Sequence, residues 1–162
     1  LLAVRSGEVR GARWSEIAAD RSTWSIPGAR KKEGRGLVVP LPERAREILA
    51  EMHALRRTDD QDLVFEGAKP GRAMSDMTFT MALRRLGTDV TFHGYRSSFR
   101  VWAAEAAIIP REVAEAVLAH RIANRVEAAY QRSDLIEQRR QALDLWSHYL
   151  TTGEVRRWGE GD

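Results

Sequence analysis

The chain has 162 residues, 43% of them hydrophobic and 30% charged, with 26 cationic against 23 acidic side chains for a formal charge of +3. That is the size and make-up of one compact globular domain. The absence of cysteine excludes a disulfide framework and thiolate metal sites, no apolar run is long enough to span a membrane, and a cytoplasmic protein is expected.

All but three of the 26 cations are arginine, the side chain whose planar fork matches phosphate oxygens. In chain order, Leu1, Leu2, Val4 and Val9 form an apolar set that predicts a helix already under way at the first residue. "RWSEIAADRSTWSIPG" and "GLVVPLP" alternate β-branched and aromatic residues with Asp, Ser, Pro and Gly, which predicts a small antiparallel sheet of about three strands, with "RKKEGR" as the turn between the second and third. From Pro42 the period becomes helical. "PERAREILAEMHALRR" carries Ala45, Ile48, Leu49, Met52 and Leu55 on one face, with proline in the first turn.

A short apolar piece, "DLVFEG", follows, then a helix in "MSDMTFTMALRRLG" with Ser75 as cap and Gly87 as stop. Further helices are predicted in "GYRSSFRVWAAEA", "PREVAEAVLAH" and "SDLIEQRRQALDLWSHYLTTG", with a brief one in "NRVEAAYQR". The fold class expected is mainly α with a small antiparallel β-sheet (α+β). Residues 1–162 are read as one domain with a polar, frayed tail over 153–162. There is no internal repeat and no low-complexity linker.

Four clusters place polar groups where packed elements favour apolar ones: "VRSGEVRGARW", the "RKKEGR" turn, "FHGYRSSFR", and His120 with Tyr130. His93 and Arg96, three apart at a helix start, share a face at a helix end that favours an anion. These pieces suit a phosphate. Taken alone, each has an unexceptional alternative: Tyr130 as a core ring in an amphipathic "VEAAY", and His120 as a cation at a helix C-terminus.

In order along the chain, "VRSGEVRGARW", "HGYRSSFR", "VLAHR" and "EAAYQRSD" resemble the catalytic domain of the tyrosine recombinases, above all the phage and genomic-island integrases. The resemblance runs from Leu1 to about Leu150. It implies catalytic roles for Arg5, Lys32, His93, Arg96, His120 and Tyr130, with Tyr130 the nucleophile. For the lysine of the sheet turn, Lys31 is the alternative to Lys32; Lys32 is preferred because it is the second of the pair in "IPGARKKEGRGLVVPL". Glu8 is expected to support the arginine-bearing segment. Tyr95 and Tyr149 are assigned to packing, His53 and His148 to the surface or its boundary, and Arg139 and Arg140 to a solvated face.

The chemistry so implied is cleavage and rejoining of DNA through a 3′-phosphotyrosine, with no metal and no cofactor. Arg5 and Arg96 would hold the nonbridging oxygens as charge develops on them. Tyrosine, with a reference pKa of ~10, needs a base or strong electrostatic help at neutral pH, and His93 is the base of choice. Lys32 would protonate the departing 5′ hydroxyl, while His120 would hydrogen-bond the phosphate or position its neighbours.

The partners implied are double-stranded DNA at attachment sites, further copies of the chain in a tetramer on DNA, and DNA-bending or directionality accessory proteins; the last helix is expected to dock on a neighbouring protomer. A bacterial, nucleoid-associated or phage-encoded setting follows, with no membrane. Because only four residues precede Arg5, the chain reads as a fragment without the family's N-terminal DNA-binding arm, so weak and steeply salt-dependent DNA binding is expected. Two rival readings are a type IB topoisomerase, which would relax supercoils without recombination, and a helical DNA-binding or assembly module without turnover.

Overall fold

A computed structural model of the chain describes residues 1–31, 34–56, 61–88, 90–91, 94–120 and 135–160. As expected, the architecture is mainly helical with one small antiparallel sheet. The elements are α1 (Ser6–Arg10), β1 (Thr23–Ile26), β2 (Leu37–Pro40), α2 (Glu43–Ala54), α3 (Met77–Arg85), α4 (Gly94–Glu105), α5 (Arg111–Val117) and α6 (Ile136–Thr152).

The strands form a hairpin whose register runs from Thr23 opposite Pro40 to Ile26 opposite Leu37. Trp24 and Ile26 turn inward while Ser25 between them is exposed, the period of two that alternation predicts. The connecting turn is drawn tight at Gly28, where a Cβ would collide with the Gly34 carbonyl oxygen.

Among the described residues two strands form where about three were expected. The segment before β1 meets the sheet in a bridge between Ile17 and Trp24, without forming a strand of its own. Just upstream, Trp14–Glu16 is a 3₁₀ turn. Asp62 holds that turn, its carboxylate accepting from Ser15 N at 3.0 Å and its carbonyl from Trp14 N at 2.7 Å, so these backbone donors are taken before a ladder can use them.

The core joins the sheet to the helices. Phe99, Trp102 and Ala103 of α4, Val113, Ala114 and Val117 of α5, and Ala142, Leu143 and Trp146 of α6 pack with Trp24, Ile26 and Val39. Trp102 and Trp146 lie 4.9 Å apart between ring centroids, and Tyr149 stacks on Trp102 at 5.5 Å, which fits the packing role assigned to it. Tyr95, also assigned to packing, is instead 45% exposed.

Arg139 departs from the solvated face expected for it. It is 3% exposed, and its Nη2 donates to the Val38 carbonyl at 2.5 Å. That carbonyl belongs to the strand beneath α6, and the guanidinium satisfies it from the helix side. Within the tail expected to fray, Trp158 packs against the core and its N–H donates to Ala107 O at 2.8 Å. No helix among the described residues is long and apolar enough to cross a membrane.

Candidate active site

The site is assembled where three backbone segments end. Residues 1–5 are not helical, contrary to the reading of a helix under way at Leu1; Ala3 has φ +50°, a left-handed conformation that breaks a helix there. The helix begins only at Ser6. Its third residue, Glu8, accepts the N–H of Arg5 at 2.8 Å, one half of a capping box. Arg5 therefore stands at the entrance of α1 with extended backbone, its side chain 38% exposed and its Nη1 3.5 Å from Glu8 Oε1.

Glu8 also receives the sheet turn. It is 5% exposed, and Lys31 Nζ, on a side chain only 4% exposed, lies 3.9 Å from Glu8 Oε1. Arg30 ties the same turn down twice: its Nη1 donates to Glu8 O at 3.3 Å and its Nη2 to Glu16 Oε2 at 2.5 Å. The lysine-bearing turn is thus anchored to the helix that carries Arg5.

Arg96, on α4, is 7% exposed and reaches two segments at once. Its Nη1 donates to the Ala3 carbonyl, two residues before Arg5, and its Nη2 donates to Leu118 O at 2.7 Å. The second acceptor is an end-of-helix carbonyl of the kind that has no intrahelical partner. Beyond it α5 closes in a Schellman motif: Ala119 N donates to Ala116 O at 3.1 Å, and His120 N donates to Glu115 O at 3.0 Å. Ala119 takes the left-handed position at φ +51°.

This reversal folds His120 back over the last turn of α5. His120 Nε2 lies 3.4 Å from Arg96 Nη2, and Nδ1 lies 2.6 Å from Glu115 Oε2. Glu115 in turn accepts Arg100 Nε at 2.7 Å. Burial pushes the Glu115 carboxyl up, but hydrogen bonds and charge from His120 and Arg100 outweigh it and hold it below its usual value.

The predicted site residues divide accordingly. Arg96 and His120 meet directly, and Arg5 is tied to them through the Ala3 carbonyl that Arg96 holds. Lys31, the alternative lysine, packs inward against Glu8. Lys32, His93 and Tyr130 lie outside the described residues. Glu115 was not singled out in the sequence. The available signal was its spacing, since a residue five before a histidine that ends a helix comes to lie beside it.

A guanidinium with a histidine ring at 3.4 Å, and a second arginine two residues from the carbonyl it holds, supplies donors of the kind that bind the nonbridging oxygens of a phosphodiester. The family model described as the phage integrase family matches residues 2–135. The chain belongs to the phage integrase family. Among its relatives, the prophage integrase IntA of Escherichia coli (strain K12) is 39% identical over 157 residues, which is 95% of this chain and 37% of the relative. The integrase of Enterobacteria phage P4 is 32% identical over 166 residues, 91% of this chain and 37% of the relative. The prophage integrase IntZ of Escherichia coli (strain K12) is 30% identical over 145 residues, 88% of this chain and 35% of the relative. This phage integrase family chain therefore spans little more than a third of the length of these relatives. No solved structure matches it.

Proposed function

We propose that the chain is the catalytic domain of a site-specific DNA recombinase that cleaves and rejoins DNA through a 3′-phosphotyrosine formed by Tyr130. The observation that carries the reading is the reach of Arg96: one guanidinium holds the carbonyl of Ala3 beside Arg5 and lies 3.4 Å from His120 Nε2. Arg96 thereby links the segment before Arg5 to His120, residues of the family's pattern scattered over more than a hundred positions.

In this reading Arg5 and Arg96 hold the nonbridging oxygens of the scissile phosphate, and their hold strengthens as negative charge develops. His93 takes the proton from the Tyr130 hydroxyl as it attacks phosphorus. The P–O bond to the 5′ oxygen breaks, and Lys32 supplies the proton that leaves with it. Lys31 Nζ is turned into the protein against Glu8, which supports the neighbouring Lys32 as the lysine that meets DNA. A 5′ hydroxyl from a second duplex then attacks the phosphotyrosine, so the ester is conserved and no metal or nucleotide cofactor is called for. The chain works on attachment-site DNA in the cytoplasm as part of a tetramer, with accessory proteins that bend DNA or set direction.

The test is a nicked suicide duplex incubated at low salt with the chain and with Tyr130→Phe, resolved on a denaturing gel. The expected result is a covalent DNA adduct that maps to Tyr130 and disappears in the variant while DNA binding persists. Loss of binding together with the adduct would point to a binding module. Relaxation of supercoils without strand exchange would point to a topoisomerase.

A further inference from the structure

We propose that Glu115 is the positioning residue for His120: its carboxylate fixes the ring as the Nδ1–H tautomer and aims Nε2 at the place beside Arg96 where a phosphate oxygen would bind. The inference rests on the recombinase reading for its catalytic consequence, but not for the geometry.

Two neighbours demand the same tautomer from opposite sides of the ring. An ionised carboxylate only accepts, so the 2.6 Å contact with Glu115 Oε2 requires a proton on Nδ1. A guanidinium only donates, so Arg96 Nη2 at 3.4 Å requires a lone pair on Nε2 when the ring is neutral. Imidazole in water favours the opposite tautomer, so the arrangement is imposed on the ring.

The carboxylate is itself held. Its other oxygen accepts Arg100 Nε at 2.7 Å, and the hydrogen bonds from His120 and Arg100 help keep it ionised. The charged groups facing His120 among the described residues are thus Glu115 from α5 and Arg96 from α4, with Arg100 of α4 behind the carboxylate. The Schellman closure fixes the main chain at the same point, since His120 N donates to the carbonyl of Glu115. His120 is half exposed, with 46% of its side chain accessible, so backbone and burial alone would leave the ring loose. When Nε2 takes a proton to donate to phosphate, Glu115 balances the charge.

The chain has four histidines, so the ring signals can be read directly in the ¹⁵N-labelled protein by long-range proton–nitrogen correlation at mildly alkaline pH, with His120 assigned from His120→Asn. The wild type should show Nδ1 protonated and Nε2 unprotonated. Glu115→Ala leaves only the longer 3.4 Å contact with Arg96 and should shift the ring toward the Nε2–H pattern, whereas Glu115→Gln, whose amide oxygen still accepts, should retain Nδ1–H. On the nicked duplex, Glu115→Ala should slow single-turnover adduct formation by about tenfold, and Glu115→Gln by less. In a His120→Ala background, Glu115→Ala should have no further effect.

An unchanged ring pattern in Glu115→Ala would overturn the proposal. So would a full additional loss of rate in the His120→Ala background, which would mean that Glu115 acts elsewhere. If the wild type forms no adduct, the recombinase reading fails, and the ring signals still decide whether Glu115 sets the tautomer.

Discussion

Each half of the site is organised by a glutamate, and the two are used differently. Glu8 is 5% exposed and lies between the Arg5 segment and a lysine whose side chain is 4% exposed. Glu115 has 21% of its side chain accessible and lies between Arg100, 32% accessible, and His120, 46% accessible. The buried carboxylate builds the scaffold, joining α1 to the sheet turn. The accessible one holds a single ring at the edge of the opening. Desolvation separates the roles: a buried charge must be matched, while a screened one contributes orientation more than energy.

The same substitution should therefore have opposite weight in the two halves, and this is the largest effect expected. Glu8→Gln takes the negative charge away from a buried ammonium and weakens the acceptor that starts α1, and should cost roughly 3 kcal/mol in urea unfolding. Lys31→Met placed in that background should recover part of the loss, because the facing charge is then removed as well. Glu115→Gln should cost under about 1 kcal/mol. If both cost the same small amount, the contrast in burial has no energetic content and Glu8 is merely a cap.

The helices were largely legible in the sequence. In α2 the predicted face is turned inward at Ala45, Ile48, Leu49 and Met52, because a period of 3.6 sustained over several turns depends on little besides the core, while Leu55, just past the helix end, is 70% exposed. Of the residues singled out in the sequence, Arg96 and His120 lie together, 3.4 Å apart, with Arg5 two residues from the carbonyl that Arg96 holds. What stayed hidden was each place where a distant group overrides a local pattern. Leu1, Leu2 and Val4 carry helical spacing, yet Arg96, more than ninety residues away, takes the Ala3 carbonyl. Arg139 looks like one of two surface cations in "EQRRQ", yet a strand carbonyl draws it inward while Arg140 beside it is half-buried and reaches Ser22 O at 3.4 Å. The third strand gave way to Asp62, 47 positions beyond Ser15. Side chains that satisfy remote backbone leave no periodic trace.

A smaller effect is expected at two helix ends that share one hydrogen-bond pattern. After α3, Gly87 N donates to Arg84 O at 3.0 Å and Thr88 N to Leu83 O at 3.2 Å, with Gly87 at φ +70°. The end of α5 repeats the pattern with Ala119 in the left-handed position, at φ +51°. Glycine takes this conformation without steric cost and alanine does not. Ala119→Gly should therefore stabilise the protein by about 0.5–1 kcal/mol. Gly87→Ala should destabilise it by about 1 kcal/mol, although a Cβ there meets nothing within 4 Å. For a chain of this size each corresponds to a shift in Tm of about 2–4 °C, of opposite sign. Shifts of one sign would mean that the motif at α5 is held by its surroundings, with Arg96 on the Leu118 carbonyl the first candidate.

The smallest effect separates the two glutamates by pH. Burial raises the Glu115 carboxyl in the folded protein, but the hydrogen bonds from His120 and Arg100, with their charges, overcome it and hold the carboxyl below its ordinary value. A depressed folded pKa contributes stability that is fully present above the unfolded carboxyl value, about 4.3, and disappears as pH falls through the folded value. The stability gap between wild type and Glu115→Gln should therefore close below about pH 4, as the carboxylate is protonated, by less than about 1 kcal/mol in total. Unfolding by urea at a series of pH values checks this directly. A gap that widens on acidification would mean that the carboxyl is raised on folding, with burial outweighing its contacts with His120 and Arg100.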